Sequence, residues 1–416
     1  MVSKVGIIAI GDELMTGFTI NTNSSWIAKK ISAYKQLSVS YNTIVNDDSN
    51  KIKIELDHLL NRDFKYIFIT GGLGPTHDDI TKKTLSEYFD SKLIVNQEHL
   101  LKLQKKYQHK NLKNSNYFIN QSEILELSKP IFNNNGTAIG MLINVFDTTL
   151  FIMPGFPSEM HAMMQTYILP NIIEKVYIVD KRYMTILTSG IYETSLFNKL
   201  KEIIKDNKET FKVAFLPSYK GVKIRISLID TNTCKEHFYD FQKKIENKIS
   251  DYIFGYNEDK IEEVVAKMLI RKNLTLSVAE SCTGGSLSKI ITSMPGSSKF
   301  YKGGIVAYSD EIKKKVLDID KTLIDVNGSV SKVVADMMSM KIQNKFKTDI
   351  GISITGISGP TGGSKEKPVG LVYISIYMKK DKISKKYIFK AERNINRELT
   401  VSCTLNLLRK LICKIK

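Results

Sequence analysis

Residues 274–290, LTLSVAESCTGGSLSKI, place an apolar run directly before a turn that contains Ser281, Cys282, Thr283 and two glycines. The run LTLSV is typical of a buried strand, and the residues after the glycines have the pattern of an amphipathic helix. A strand, a glycine turn and a helix form the repeating unit of α/β proteins. The turn has three interpretations: a phosphate cradle, a turn that carries a nucleophile, or a tight connection.

The same alternation of strands and helices extends over most of the chain. In the first half, apolar runs predict strands at 4–10, 37–45, 65–70 and 148–154, and helical patterns occupy 23–34, 50–61 and 77–89. In the last part, the patterns predict helices at 260–273 and 396–414, with strands near 274–279, 303–309, 349–356 and 370–378. The segment between them has the pattern of a small α+β unit of about 80 residues.

The sequence therefore predicts an α/β protein of three domains. Residues 1–175 form an α/β/α three-layer domain with a mostly parallel sheet, 176–256 a small α+β middle domain, and 257–416 a C-terminal α/β domain. A length of 416 residues, 42% of them hydrophobic and 25% charged, fits soluble globular domains. The first apolar run, VGIIAI, is too short for a signal peptide or a membrane helix, so no membrane association is expected.

The four cysteines are scattered and show no CxxC spacing, which indicates a reducing cytoplasm and no structural zinc. The net charge of +18 is uneven: residues 1–259 carry about +3, and residues 260–416 hold 29 basic against 14 acidic residues. Such a field attracts phosphorylated metabolites or nucleic acid. No aromatic residues interleave with the lysines and no groove-reading element is evident, so nucleic acid is not an expected partner.

Acidic residues follow glycine turns at two predicted strand ends. The stretch ITGGLGPTHDDIT at 69–81 offers close backbone approach and a helix start to an anion, and GDEL at 11–14 follows the first strand. Acids at a helix start also have an ordinary capping role. If both turns lie on one sheet edge, the carboxylates converge and suit a divalent metal bridging a pyrophosphate. The metal candidates are Asp12, Asp78 and Asp79, with Glu13 beside them, and the binding candidates are Gly71, Gly72, Gly74 and Thr76.

The motifs GDEL, GGLGPTHDD, NGTAIG and MPGFPSEM resemble, in this order and spacing, the molybdopterin-binding (MoaB/MogA-like) domain at the front of the competence/damage-inducible protein A (CinA) family. The resemblance implies a metal-dependent ADP-ribose pyrophosphatase, or molybdopterin handling as in other relatives of this domain. Two positions depart from the family pattern: Ile139 stands where proline is usual, and Asn21 where aspartate is usual.

In the turn at 281–285, a serine nucleophile needs a base. No histidine follows His237, so a Ser-His-Asp arrangement within the last part is excluded. Lysine is the remaining candidate base, and 313–315 supply three lysines after the strand that ends near Tyr308. A lysine acts as a base only if burial lowers its pKa. Cys282 is the alternative nucleophile, but neighbouring side chains diverge, so only one of the pair faces the site.

A second glycine loop, ITGISGPTGGSKEKPVG at 354–370, again follows a predicted strand. Its backbone N–H groups are expected to approach a phosphate while Lys367 or Arg393 supplies charge. The loop's candidate binding residues are Gly359, Gly362 and Gly363.

The motifs AESCTGG, YS-x-x-x-K, GSVS and TGISGPTGG-x-x-EKPVG resemble the CinA C-terminal domain, which also occurs alone as nicotinamide mononucleotide deamidase. The resemblance implies hydrolysis of the carboxamide of nicotinamide mononucleotide to nicotinate mononucleotide and ammonia, without a cofactor. The resemblance implies attack by Ser281, with Lys313 and Tyr308 activating it or relaying the proton. It also implies a catalytic-site arginine that binds the nucleotide phosphate or assists the site, which is Arg393, with Arg397 as the second choice. Thr283, Gly284 and Gly285 are the implied oxyanion or substrate contacts.

The two resemblances together imply a cytoplasmic enzyme of pyridine nucleotide salvage that acts on nicotinamide mononucleotide and ADP-ribose and assembles as a homodimer. The alternatives are a non-enzymatic adaptor in DNA uptake and a molybdopterin-binding protein. Turnover, salt-sensitive DNA affinity and copurified pterin fluorescence distinguish the three.

Overall fold

The computed structural model describes residues 2–34, 36–108, 116–173, 183–229, 235–378 and 381–415. The chain forms two compact units, residues 1–182 and 183–416. The predicted boundary between residues 175 and 176 lies in 174–182, outside the described residues, as does Cys234. No helix in the described ranges combines the length and the apolar character that crossing a bilayer requires.

The first unit alternates strands and helices through most of its length. Its strands are β1 (Ser3–Ile10), β2 (Leu37–Val45), β3 (Phe64–Thr70), β4 (Leu93–Val95), β5 (Glu123–Leu125), β6 (Lys129–Ile131), β7 (Gly140–Val145) and β8 (Thr148–Met153). Its helices are α1 (Asp12–Met15), α2 (Thr22–Ile31), α3 (Ser49–Leu60), α4 (Thr81–Tyr88), α5 (Gln97–Lys106), α6 (Asn116–Gln121), α7 (Pro157–Met163) and α8 (Leu169–Ile173), with a π-helical turn at Met164–Ile168.

Six of these strands form one sheet in the order β2-β1-β3-β8-β7-β6. The first four run parallel, and β7 and β6 are antiparallel to their neighbours. Strand β1 shows why helices cover both faces: Val5 and Ile7 pack with residues of α2 and α7, whereas Ile8 and Ile10 pack with residues of α3. Alternate side chains of a strand point to opposite faces, so an unbroken apolar run needs two covering layers. The three-layer prediction is confirmed.

Helix α4 begins four residues later than the pattern at 77–89 predicts. In the preceding turn, the Asp79 carboxylate accepts hydrogen bonds from the Thr76 amide at 3.0 Å and from the Thr76 hydroxyl at 2.5 Å. This local bonding closes a turn and competes with the helix, as short polar side chains often do. The N–H groups of Thr76 to Asp79 therefore precede the helix start at Thr81.

The second unit opens with a four-stranded antiparallel sheet in the order β10-β11-β9-β12. Its elements are β9 (Tyr183–Thr188), α9 (Glu193–Lys205), β10 (Phe211–Ser218), β11 (Gly221–Leu228), α10 (Lys235–Ile249) and β12 (Ile253–Tyr256), with a 3₁₀ turn at Ser250–Tyr252. Leu196 of α9 and Phe241 of α10 are buried with Ile224 of the sheet. This region, residues 183–256, is called the middle unit below, and it has the predicted α+β architecture.

The remainder of the second unit is built on a five-stranded sheet in the order β14-β13-β15-β16-β17. Its strands are β13 (Leu276–Glu280), β14 (Tyr301–Val306), β15 (Ile350–Gly356), β16 (Leu371–Met378) and β17 (Asp381–Ile388). Its helices are α11 (Ile261–Arg271), α12 (Ser286–Thr292), α13 (Asp310–Lys315), α14 (Lys321–Asn327), α15 (Lys332–Phe346) and α16 (Arg393–Cys413), with a 3₁₀ turn at Ser297–Lys299. Strands β14, β13 and β15 are parallel, and β16 and β17 are antiparallel.

Two apolar clusters cover this sheet. One joins its strands to α11, α12 and α16, and the other joins Ala279 of β13 to α14 and α15. The α/β prediction for the last part is confirmed. Strand β17 was not predicted, because it lies at the sheet edge and its sequence DKISKKYI carries lysines that make the apolar pattern weak.

Candidate functional site

The candidate site of the second unit begins where β13 ends. Ser281 continues the strand through a hydrogen bond from its N–H to Ile354 O at 2.9 Å, and its carbonyl accepts from the Gly284 N–H at 3.0 Å. Gly284 and Gly285 have φ values of 57° and 88°, the left-handed region that favours glycine. The turn then enters α12 at Ser286, as predicted from the sequence. A buried strand thus presents Ser281 at its carboxyl end, where ligands of α/β sheets bind.

Glu280, the last residue of β13, is fully buried and was not predicted to act at the site. Its carboxylate accepts hydrogen bonds from the N–H groups of Leu287 and Ser288 at 3.0 and 2.8 Å, and from the Ser288 hydroxyl at 2.6 Å. A carboxylate at this place satisfies free amides of the helix start. These two amides of α12 are therefore not available to an oxyanion or phosphate. The only sequence signal for this role of Glu280 is its position between an apolar strand and a glycine turn.

Ser281 and Cys282 lie in different surroundings although both are about 7% exposed. Cys282 belongs to the apolar cluster that contains Leu287 and Val401. Burial raises the pKa of the Cys282 thiol to about 11. A thiol in this state is almost fully protonated at neutral pH and is a poor nucleophile. The environment of the pair therefore favours Ser281 over Cys282 as the attacking group.

Lys313 is the buried lysine of the site, with about 1% of the residue exposed. Its Nζ lies 3.5 Å from Asp310 Oδ1 and 3.4 Å from the Tyr308 carbonyl oxygen. Burial lowers the pKa of Lys313, while the nearby Asp310 carboxylate and Cys282 act in the opposite direction. Ala307, the residue before Tyr308, donates its N–H to Glu280 O at 2.7 Å, so the Tyr308 carbonyl that Lys313 contacts lies beside the strand end that carries Ser281. Of the three lysines that the sequence offered as bases, Lys315 is exposed, Lys314 is half-buried and Lys313 is enclosed.

Tyr308, Arg393 and Gly359 are brought together by one guanidinium group. Arg393 Nη2 donates to the Tyr308 hydroxyl at 3.0 Å, and Nη1 donates to Gly359 O at 2.7 Å. Both Tyr308 and Arg393 are exposed. The first residue of α16 therefore joins the end of β14 to the second glycine loop, as expected for residues that share a site.

Arg397, one helical turn further along α16, holds the first glycine turn instead. Its Nε and Nη2 donate to Thr283 O at 3.2 and 2.7 Å, and Nη2 also donates to Ser286 Oγ at 3.0 Å. A Cβ on Gly284 would lie 3.2 Å from Arg397 Nη2. The Thr283 side chain is fully buried, and its hydroxyl has no hydrogen-bond partner in the described part of the chain. Arg397 thus fixes the turn, while Arg393 stays accessible.

The second glycine loop reaches the site through its first residues. Gly359, with a φ of 87°, is buried and bonded to Arg393, whereas Gly362 and Gly363 are exposed and approach their own loop at Ile357 and Val369. Lys367 donates from Nζ to Asn327 O at 2.8 Å, at the end of α14. The described contacts therefore connect Gly359 to the candidate site, and do not connect Gly362, Gly363 or Lys367 to it.

A second candidate site lies at the carboxyl edge of the sheet in the first unit. Gly71 and Gly72 have φ values of 115° and 64°, and a Cβ at these positions would lie 2.1 Å from Ile10 O and 2.2 Å from Thr81 Oγ1. Only glycine fits this close passage of the turn beside β1 and α4. The end of β8 joins them, since the Gly71 N–H donates to Met153 O at 3.1 Å.

The acidic residues of this edge make local contacts. Asp79 binds Thr76, and a Cβ on Gly74 would lie 2.3 Å from the Asp79 carboxylate. The Thr76 side chain also lowers the pKa of the exposed Asp78. Asp12 Oδ1 accepts from Asn46 Nδ2 at 3.0 Å and from the N–H of the next residue, 47, at 3.2 Å. Thr76 therefore contacts both predicted metal candidates of its turn.

Asp47 is an acidic residue of this edge that the sequence did not single out. Its Oδ2 accepts from the Asp12 N–H at 2.9 Å. Burial raises the pKa of Asp47, and the negative charges of Asp12, Glu13 and Asp78 contribute to the same direction. The turns after β1 and β3 therefore do meet at one edge, as predicted, and the turn after β2 that carries Asp47 joins them. Asp47 follows the end of β2, the signal that would have identified it.

Among the residues that the structure describes, no three Asp, Glu, His or Cys side chains surround a point where a metal ion can sit. Asp12 and Asp79 instead bind backbone and hydroxyl groups. The oxygen donors are chemically suited to a hard cation, but their positions do not form a resident metal site. The metal remains a prediction.

Asn23 is a further buried polar residue of this edge that the sequence did not indicate. Its Nδ2 donates to Gly155 O at 2.7 Å and to Thr70 Oγ1 at 3.0 Å, while its Oδ1 is buried without a hydrogen-bond partner among the described residues. The two departures from the family pattern keep the local structure. Asn21 caps α2 by accepting from the Ser24 N–H, and Ile139 donates its N–H to Gln121 O, a bond that proline cannot make.

Comparison with protein families matches the chain in three successive parts. Residues 6–174 match the "Probable molybdopterin binding domain", residues 184–255 match the "Damage-inducible protein CinA KH domain", and residues 258–412 match the "CinA C-terminal domain". These matches cover both candidate sites and the middle unit between them.

Full-length relatives extend the similarity over the whole chain. The chain is 38% identical to a CinA-like protein of Flavobacterium psychrophilum over 99% of each chain. It is 35% identical to a CinA-like protein of Dictyoglomus thermophilum, covering 97% of this chain and 98% of the relative. A solved structure of a competence-damaged protein (CinA) superfamily protein from Escherichia coli is 30% identical, covering 37% of this chain and 92% of that one, with a TM-score of 0.36. By its full-length similarity to the Flavobacterium and Dictyoglomus proteins, the chain belongs to the CinA family.

Proposed function

We propose that the C-terminal part of the second unit hydrolyses the carboxamide of nicotinamide mononucleotide, giving nicotinate mononucleotide and ammonia. The observation that carries the proposal is the burial of Lys313 beside the turn of Ser281, because burial lowers the pKa of this lysine. A lysine with a lowered pKa is able to act as a general base near neutral pH. Membership of the CinA family agrees with this assignment.

In the proposed reaction, Ser281 Oγ attacks the amide carbon and its proton passes to Lys313 Nζ. The tetrahedral intermediate collapses as that proton is given to the leaving nitrogen, which departs as ammonia and leaves an ester on Ser281. Water then attacks the ester, Lys313 accepts the water proton, and the serine oxygen leaves and recovers it. Each proton taken up is returned, so the cycle closes. A nucleophile and a base supply both steps, and we propose that no cofactor takes part.

Arg393 is the proposed phosphate ligand. It is exposed, and the two hydrogen bonds to Tyr308 and Gly359 leave further N–H donors of its guanidinium for a ligand. A guanidinium binds phosphate through paired, charge-assisted hydrogen bonds. Tyr308 is held by Arg393, so its proposed part is to position the substrate or relay a proton from the surface side. Thr283, Gly284 and Gly285 are proposed to support the oxyanion through the turn that Arg397 fixes.

The deciding experiment measures ammonia release from nicotinamide mononucleotide in EDTA, using wild type, Ser281→Ala and Cys282→Ala. We expect turnover by wild type and by Cys282→Ala, and a loss of at least about 10³-fold in Ser281→Ala, as is usual when a nucleophile is removed. Circular dichroism and thermal unfolding confirm that the variants fold. Retained turnover in Ser281→Ala, or no turnover in wild type, contradicts the proposal.

For the first unit, we propose that the turns at 71–79 bind the pyrophosphate of ADP-ribose and that the substrate arrives as its complex with a divalent cation. Support comes from the acidic edge, where burial, followed by the negative charges of Asp12, Glu13 and Asp78, raises the pKa of Asp47. A cation that enters with the pyrophosphate relieves this repulsion, and no resident metal site is needed. Isothermal titration with ADP-ribose, with and without Mg²⁺, tests this. Equal affinity under both conditions, or no binding in either, contradicts it.

We propose a homodimer as the assembly. Strand β14 is an edge strand of its sheet, and its Val306 is 48% exposed, so this edge is available to a second copy. Light scattering is expected to give twice the chain mass of 47.2 kDa. A mass equal to one chain contradicts this assembly.

Two other classes of function make different predictions. A DNA-uptake adaptor shows salt-sensitive DNA affinity without turnover. A molybdopterin-binding protein copurifies with pterin fluorescence. Either result, combined with no ammonia release, replaces the proposed activity.

A further inference from the structure

A cavity of about 400 Å³ lies between the middle unit and the C-terminal sheet, away from the candidate site at Ser281. One wall is the turn at Ser189 and Gly190, which follows β9. The opposite walls are one face of β17 and the last turns of α16. Ligand cavities of proteins commonly occupy roughly 300–1,000 Å³, so this volume admits a small molecule.

The cavity is strongly cationic. Lys385 of β17, Lys410 of α16 and Lys414, the residue after α16, line it, and none of the described residues of its lining is aspartate or glutamate. Lys410 is also placed by the Tyr252 ring, whose centroid lies 5.3 Å from its Nζ. Three ammonium groups that enclose one space repel one another, and an anion between them removes that repulsion.

Asn406 is a largely buried residue of the cavity wall, with only 7% of its surface exposed. Its Oδ1 accepts from Arg409 Nε at 3.3 Å and from Arg409 Nη2 at 3.1 Å. Arginine only donates, so the oxygen of the amide must face Arg409 and the NH₂ group must face the other way. Arg409 is itself held by Ile253 O at 2.9 Å. The orientation of the Asn406 amide is therefore fixed before any ligand binds.

The Asn406 Nδ2 faces the turn at Gly190. A Cβ on Gly190 would lie 2.7 Å from Nδ2, and the φ of Gly190 is 78°, so both space and conformation favour glycine here. No hydrogen bond joins Nδ2 to any of the described residues, although the side chain is more than nine-tenths buried. The amide group is thus a donor of fixed orientation at the cavity wall, open to a ligand oxygen.

We propose that this cavity binds the phosphate group of a small phosphorylated metabolite of the mononucleotide class. Lys385, Lys410 and Lys414 supply charge to the phosphate, and Asn406 Nδ2 supplies a fixed hydrogen bond to one oxygen. Tyr387, in the same wall as Lys385, offers an aromatic side chain to the remainder of the ligand. The site is independent of the proposed deamidation, since none of its residues belongs to the turn at 281–285.

The test is isothermal titration of the full chain with AMP and, separately, with orthophosphate. The variants are the double substitution Lys385→Gln with Lys410→Gln, and Asn406→Leu. The matched control is Lys386→Gln, because Lys386 is the next residue of β17 and points to the opposite face of the sheet. All three lysines substituted here lie on the surface or its margin, so these variants are expected to fold.

We expect wild type and Lys386→Gln to bind AMP with the same salt-dependent affinity, and the double variant to bind at least tenfold more weakly at the site. Orthophosphate is expected to compete with AMP. Equal binding by the double variant and the control overturns the proposal, as does the absence of AMP binding at millimolar concentration. Tighter binding of a single-stranded oligonucleotide that displaces AMP also overturns it and assigns the cavity to nucleic acid. If Asn406→Leu fails to fold, the lysine variants alone decide.

Discussion

Arg393 Nη2 donates a hydrogen bond of 3.0 Å to the hydroxyl of Tyr308, a residue 85 positions earlier in the chain. The other Nη of the same guanidinium holds Gly359 O at 2.7 Å. One side chain at the start of α16 thus ties together the end of β14 and the second glycine loop. Arg397, four residues later, makes no described contact with either of these and holds the turn at Thr283 instead. The two arginines therefore have separable effects.

Replacing Arg393 by alanine is expected to raise the KM for nicotinamide mononucleotide by about 10- to 100-fold, with little loss of stability. A charge-assisted hydrogen bond to a ligand contributes roughly 1.5–3 kcal/mol. Steady-state kinetics and thermal unfolding measure the two effects. Arg271→Ala, which removes an exposed arginine of α11, is the matched control and should leave KM unchanged. An unchanged KM in Arg393→Ala would remove this residue from phosphate binding.

Arg397→Ala is expected to lower kcat more than it changes KM, and to lower the melting temperature. It deletes three hydrogen bonds to the turn, of which two go to Thr283 O. Each such bond typically contributes about 0.5–1.5 kcal/mol to stability. Arg397→Lys should rescue only part of the loss, because an ammonium cannot reproduce the planar fork. A pure rise in KM would show that Arg397 binds substrate.

The kcat/KM for nicotinamide mononucleotide is expected to rise with pH at pH values below the pKa of Lys313. Lys313 must be neutral to accept a proton, and burial lowers its pKa from the ordinary value of 10.5. The rising limb of kcat/KM therefore reports the folded pKa of Lys313 and should lie below pH 10.5. Lys313→Met removes the base and should abolish turnover. A flat profile between pH 6 and that limit would contradict lysine as the base.

Lys313→Met is expected to leave the protein at least as stable as wild type. A lowered lysine pKa means that the folded state binds fewer protons than the unfolded state between the two pKa values. Wild-type stability therefore rises with pH across that window, and the cost of the buried ammonium is fully present below it. Lys313→Met removes this cost, so its gain in melting temperature should be largest at low pH and vanish at high pH. Thermal scans at several pH values measure this gain. A melting temperature of Lys313→Met that is lower than that of wild type by the same amount at every pH would contradict the prediction.

Glu280→Gln is expected to destabilise the second unit by about 2–4 kcal/mol. The buried carboxylate accepts from the Leu287 and Ser288 amides, and an amide side chain would turn an NH₂ group towards at least one of these donors. Urea unfolding gives the change in free energy. Glu311→Gln, at an exposed pair with Lys315, is the matched control and should change stability by less than about 0.5 kcal/mol. Equal effects of the two substitutions would mean that Glu280 does not cap α12.

Much of the fold was predictable because the buried strands are continuous apolar runs. Strands β1, β3, β13 and β15 were found in this way, and the parallel sheet followed from the helices between them. Strand β17 was missed, since its lysines hide the alternation, and the start of α4 was misplaced, since Asp79 binds Thr76 locally instead of entering a helix. Both errors lie where a periodic pattern is a weak guide: β17 is an edge strand, and the start of α4 is a helix terminus, where local side-chain hydrogen bonds compete with the helix.

The candidate site was predictable where a motif carried it. Ser281, Lys313 and Arg393 were chosen from motifs, and the structure adds that Lys313 is buried beside the turn and that Arg393 reaches Tyr308. The parts that pattern did not reveal depend on contacts across the fold. Asp47 interacts with an acid 35 residues earlier, and Asn406 with a turn of the middle unit. Contacts between residues so far apart in the chain leave no signal in the local sequence.

Arg409 has a consequence for how the chain can be divided. It is 7% exposed, and its guanidinium donates to the carbonyl oxygens of Ile253 and Asp251, which belong to the middle unit. A fragment that starts after Ile253 keeps the Arg409 guanidinium but loses the two carbonyl oxygens that accept its hydrogen bonds. A gene fusion or truncation at residue 257 therefore separates Arg409 from the part of the middle unit that it binds. The smallest self-sufficient fragment of this half is expected to begin near residue 183, and a shorter one should require a substitution at Arg409.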